Sequence, residues 1–101
     1  MSFTSDNEIM RMVQAGDLEK IGLLFERYKQ ILFAYFYRNT NHIHTSEDLV
    51  QNVFLRIIKY RQRFKGYGKF TTWMYHIARN VYLDYDKKNK VSAFDQKSIH
   101  K

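Results

Sequence analysis

With 101 residues, no cysteine and no proline, the chain is one domain near the small end of what folds unaided, and disulfides and cysteine–metal centres are excluded. Apolar residues at 45% supply a core, yet no apolar run follows Met1 and no stretch approaches a bilayer span, which argues against membrane insertion and for a cytoplasmic protein. The net charge of +7 is lopsided: residues 1–58 carry six Lys/Arg against seven Asp/Glu, residues 59–101 eleven against three. On charge alone, a polycationic second half fits a nucleic-acid or anionic-membrane partner about as well as an ordinary solvated face. The aromatics favour nucleic acid, because eight of the seventeen lie between Tyr60 and Tyr85.

Three- and four-residue apolar spacing with few backbone breakers predicts an all-α, compact bundle of about four helices. Ser5 and Glu8 form a capping box for a first short helix that turns Ile9, Met10 and Val13 inward. Gly16 ends it and Asp17 caps the next. Along the second helix Leu18, Ile21, Phe25, Tyr28, Leu32 and Tyr35 line one face, too aromatic and too short for a coiled-coil zipper. Asn39 to Thr45 reads as a polar connection, and the His42/His44 pair finds no third ligand nearby, so no metal is assigned. Thr45-Ser46-Glu47-Asp48 opens a third helix with acids in its first turn. Its core face is Leu49, Val50, Val53, Phe54, Ile57 and Ile58, and its opposite face is Asp48, Gln51, Asn52 and Leu55. That polar stripe suits either solvent or a protein contact.

Phe64 to Asn80 is the most unusual stretch. Gly66 and Gly68 mark a loop over residues 65–69, and a helix starts at Thr71 or Thr72 and runs to about Lys88. Phe70, Met74, Ile77, Ala78, Val81 and Tyr85 form its core side, while Trp73, His76, Asn80, Leu83 and Lys87 fall along another line beside Arg79 and Tyr82. Cations for phosphates and ring faces for bases are what holding an unstacked strand requires. Trp73 is equally suited to the core. Beyond Asn89 the periodicity lapses, so residues 91–101 read as a linker or disordered tail after a domain over residues 1–90. The sequence offers no carboxylate cluster, nucleophile–base arrangement or phosphate-cradling loop, so neither an enzyme nor a cofactor is expected.

SEDLVQNVFLRI over residues 46–57, then RFKGYGKFTTWMYHIARN over 63–80, resemble region two of the bacterial sigma factors, in particular the extracytoplasmic-function class. DNEIMRMVQAGDLEKIGLLFERY over 6–28 is similar to the same class. The resemblance implies a domain that binds core RNA polymerase, docking on the coiled coil of its largest subunit through Asp48, Gln51, Asn52 and, on the same stripe, Leu55. It further implies capture of the non-template strand of the minus-ten promoter element by the loop and last helix. Phe64, Lys65, Gly66, Tyr67, Gly68, Lys69 and Asn80 then form a base pocket, with Thr72, Trp73, His76, Arg79, Leu83 and Lys87 on the strand-facing side. Two departures stand out. The family usually has an acid where this chain has Asn52, and the helix-turn-helix region that normally follows is absent from these 101 residues. The alternative reading is a basic helical interaction module bound by an anti-sigma regulator, a partner the resemblance also implies.

Overall fold

The computed structural model describes residues 3–99, and the side chains of residues 3–89. Helix α1 is Asp6–Gln14, α2 Ile21–Thr40, α3 Ile43–Lys59 and α4 Phe70–Ile99, with 3-10 turns at Leu18–Lys20 and Arg61–Arg63. The all-α bundle of four helices therefore forms as the apolar spacing predicts, with no strand among the described residues.

Ser5 starts α1: its Oγ accepts the Glu8 amide at 3.1 Å and donates to Glu8 Oε1 at 3.1 Å. The glutamate thus closes the cap on the hydroxyl, not on the Ser5 backbone. Ile9, Met10 and Val13 are fully buried, as expected. Gly16 sits at a φ of 110°, a conformation closed to most other residues, and reverses the chain. Asp17 makes no side-chain cap; a 3-10 turn carries the chain into α2 instead.

The buried line of α2 differs from the expected stripe. Leu24, Leu32 and Phe36 lie at its centre, with Ile21, Phe25, Tyr28 and Tyr35 packed along its borders and Leu18 exposed ahead of the helix. The reason is that α2 packs against both α1 and α3, so its inward arc falls between two contact lines. The polar connection is also shorter than expected. Asn41, at a φ of 61°, donates its N–H to Tyr37 O at 2.8 Å, and α3 starts at Ile43. The expected capping box at residues 45–48 does not form, because Ser46 already lies inside α3. Its buried Oγ donates to His42 O at 2.6 Å and lies 3.0 Å from Thr40 Oγ1, closing the α2–α3 corner. The expected core face of α3 is buried except for Ile58, which is half-buried.

Residue Phe70, one or two positions earlier than expected, opens α4. Phe70, Met74, Ile77, Ala78 and Val81 are buried against the other helices, and Tyr85 packs at their edge. No glycine or proline follows Gly68, and α4 continues to Ile99, beyond its expected end near Lys88; residues 100 and 101 lie outside the described residues.

The N-terminal segment is fastened to α2. Arg27 donates to Asp6 Oδ1 at 2.7 Å and to Thr4 O at 2.6 Å, and the Tyr28 hydroxyl donates to the other Asp6 oxygen. Burial, then the Asp6 hydrogen bond and charge, push the Tyr28 hydroxyl from its usual 10.0 up to about 12. The folded state thus favours the neutral phenol, so this contribution is fully present below the ordinary value and is lost as pH rises from 10.0 through about 12. Tyr28→Phe is expected to flatten the fall in melting temperature across that alkaline window. An unchanged slope in the phenylalanine variant would remove Tyr28 as its source.

Candidate nucleic-acid interface

Between Lys59 and Phe70 the chain leaves helical geometry in a 3-10 turn and a loop, then re-enters the bundle. Phe64 and Phe70 anchor the two ends of that excursion. Their rings lie 6.1 Å apart, and Trp73 lies 5.4 Å from Phe64 and 6.2 Å from Phe70. Phe64, expected as a pocket wall, is only 7% exposed, so it backs the site from the core side. Trp73 is half-buried: it packs on this cluster and still borders the surface cavities.

Two adjoining cavities result. One of 400 Å³ lies between α3 and α4, lined by Arg56, Tyr60, Arg63, Trp73, His76, Ile77, Asn80 and Asp84. The other, of 330 Å³, is formed by residues 63–69 with Thr72, Trp73 and His76. Arg63, Trp73 and His76 belong to both, so the expected loop residues and Asn80 share one continuous groove without meeting in one pocket. Tyr67 stands at the loop tip, 96% exposed. Arg79, Leu83 and Lys87 are exposed on α4 and line neither cavity.

The electrostatics are one-sided. Among the described residues no carboxylate is within ion-pair distance of Arg63, Lys65 or Lys69. Arg63 lies over the Tyr60 ring at 4.3 Å, which turns a cation and an aromatic face toward the same groove. Asp84 is the acidic exception, held by Arg56 at 2.9 Å. Chemically, the groove offers unpaired cations for phosphates, an indole and a phenol for stacking, and an amide that both donates and accepts at Asn80.

Sequence reasoning missed Arg56, Tyr60, Arg63 and Asp84. A signal for them existed: Arg56, Tyr60 and Arg63 follow at four- and three-residue steps, and Asp84 is one turn beyond Asn80.

The crest of α3 adjoins the groove on one side, where Arg56, Tyr60 and Asp84 line both the α3–α4 cavity and a neighbouring hollow. Asp48 and Gln51 are exposed, Leu55 is 66% exposed, and Asn52 is half-buried and accepts from Arg56 Nε at 3.2 Å. Gln51 borders a 280 Å³ cleft against α2, whereas Asn52 and Leu55 border a 360 Å³ cavity on the α4 side. The stripe is therefore a ridge flanked by two hollows.

Comparison with known proteins decides the family. Residues 24–91 match the Sigma-70 region 2 model. The chain belongs to the Sigma-70 region 2 family. This region 2 domain is 31% identical over 81 residues to the ECF RNA polymerase sigma factor SigW of Bacillus subtilis, covering 80% of this chain and 43% of that protein. It is 31% identical over 84 residues to the ECF RNA polymerase sigma factor BldN of Streptomyces coelicolor, covering 82% and 32%. The chain thus spans less than half the length of these curated relatives. A solved structure, that of an engineered region 2 of sigmaE in complex with GTAAAA, superposes with a TM-score of 0.80 at 28% identity, over 89% of this chain and 95% of that one. The expected family and the expected all-helical fold both hold.

Proposed function

We propose that this region 2 domain acts in transcription initiation as the part of a sigma factor that joins core RNA polymerase to melted promoter DNA. The observation that carries the reading is the groove itself: Arg63, Lys65 and Lys69, free of ion pairs among the described residues, beside Trp73, His76 and Asn80, in a fold whose solved neighbour is in complex with GTAAAA. The non-template strand of the minus-ten element lies along the loop and α4, with its phosphates toward the cations. One base leaves the stack and enters the groove, where Asn80 reads its edge and Trp73 backs it. Extrusion costs a few kcal/mol and stacking returns roughly 1–3 kcal/mol per base, so capture offsets unpairing once the cations hold the strand. The domain performs no bond chemistry; it favours the open state by binding it differentially.

The α3 ridge of Asp48, Gln51, Asn52 and Leu55 docks on the coiled coil of the polymerase's largest subunit, and an anti-sigma regulator competes for the same ridge. Support comes from the exposure of Asp48, Gln51 and Leu55, and from the place of Asp48 and Gln51 outside both groove cavities. The test is a pull-down of core polymerase paired with binding of a fluorescent GTAAAA hexamer. Gln51→Ala is expected to weaken polymerase capture about two- to tenfold, the range of one neutral hydrogen bond, and Asp48→Ala about ten- to a hundredfold, the range of a charge-assisted one, while hexamer binding stays unchanged. If wild type captures neither polymerase nor hexamer, the reading falls.

A further inference from the structure

We infer that α1 is a brace for the strand-capture loop, with Gln14 and Asn7 as positioning residues that hold its two ends from a single helix face. This rests on the function proposed above for the loop, but the contacts themselves do not. The Gln14 side-chain amide donates to Arg61 O at 2.9 Å and to Phe64 O at 2.7 Å, using both of its hydrogens on the backbone that leads into the loop. Gln62 returns the contact, donating from Nε2 to Gln14 O at 2.8 Å. At the far end Asn7 Nδ2 donates to Gly68 O at 3.1 Å. Two helical turns separate Asn7 from Gln14, so both amides project from one side of α1, about 10 Å apart along its axis.

What lies between those ends is free. Lys65, Gly66 and Tyr67 make no backbone hydrogen bond among the described residues, and Gly66 adopts a φ of 79°. A tip so loosely tied keeps its place only if its ends are fixed. Neither amide reaches the groove lined by Trp73, His76 and Asn80, so neither touches the strand. Their effect on recognition passes through where the loop stands.

The test needs no DNA for its first arm. Backbone order parameters of residues 65–69 are measured by NMR in wild type, Asn7→Asp and Gln14→Met. Asn7→Asp keeps the shape and removes the donor at a partly exposed position, so it tests the brace even where Gln14→Met unfolds. The loop amides are expected to lose order from near 0.85 toward 0.6 or below, with α2 and α3 unchanged. The second arm measures the preference for GTAAAA over a hexamer with one abasic site. That ratio should drop about fivefold in Asn7→Asp, the equivalent of one ordinary hydrogen bond, with the melting temperature nearly constant. A loop that stays ordered in Asn7→Asp overturns the brace. Loop disorder with an intact preference ratio overturns its role in recognition. If wild type does not bind the hexamer, the proposed function fails and the brace is judged on the order parameters alone.

Discussion

Phe70→Ala is expected to lower the unfolding free energy by about 3–5 kcal/mol, the range for deleting a buried phenylalanine ring. Phe70 is 1% exposed, and its ring meets Tyr28 at 5.9 Å, Phe64 at 6.1 Å and Trp73 at 6.2 Å. It is also the first residue of α4, directly after a loop fixed at Gly68. The surrounding chain therefore has little freedom to collapse into the vacated space, which places the loss toward the upper part of that range. Small domains hold only about 5–15 kcal/mol in total, so a sizeable fraction of the variant would be unfolded on warming. Urea titration checks this: the midpoint should fall with the slope unchanged. Tyr67→Ala, at the exposed loop tip, is the control and should stay within about 0.5 kcal/mol of wild type. A loss below about 1 kcal/mol for Phe70→Ala would mean that the aromatic cluster does not hold the loop to the bundle.

The contrast between Phe70 and Tyr67 also shows what could be read before the fold was known. Helix existence was legible, because apolar spacing at three and four residues is a direct projection of a buried face. The α3 core residues and the inward side of α4 came from that pattern, and the loop at residues 65–69 from Gly66 and Gly68. Boundaries were harder. Ser46 resembles an N-cap in sequence, yet its hydroxyl is consumed by His42 O and Thr40 within a tertiary corner. The α2 stripe was displaced because two partners share that helix, and a single-helix period cannot register two contact directions. Of the groove, the residues inside the loop and α4 were visible as a basic-aromatic run. Those supplied by other elements, Arg56 and Tyr60 at the end of α3 and the braces Asn7 and Gln14 on α1, depend on long-range packing. Their spacing hints at a shared face but not at what that face meets. Phe64 marks the same limit from the other side: the sequence suggests a pocket wall, and only the fold shows that it borders the loop cavity while almost fully buried.

Replacing Arg63, Lys65 and Lys69 together by glutamine is expected to weaken single-strand binding about a hundredfold at about 0.1 M salt. Each phosphate contact on a single strand contributes about 0.7 to the slope of log affinity against log salt, so three lost contacts remove about 2 from it. Extrapolated from a one-molar reference, that slope difference amounts to about two decades at the stated salt. The fold should tolerate the change, because all three side chains are exposed and free of ion pairs among the described residues. Arg63 alone gives up something further, its position over the Tyr60 ring, so the single variants Lys65→Gln and Lys69→Gln separate pure charge from stacking. Asn80→Ala is the informative counterpart. It should leave the salt slope untouched and lower the preference for one base, because an amide reads an edge and neutralises nothing. The two variants thus divide the groove into a part that holds the strand and a part that reads it. A triple variant with wild-type affinity and slope would place the phosphates elsewhere, toward Arg79 and Lys87 on the outer side of α4, and would leave Asn80 facing a groove that no strand occupies.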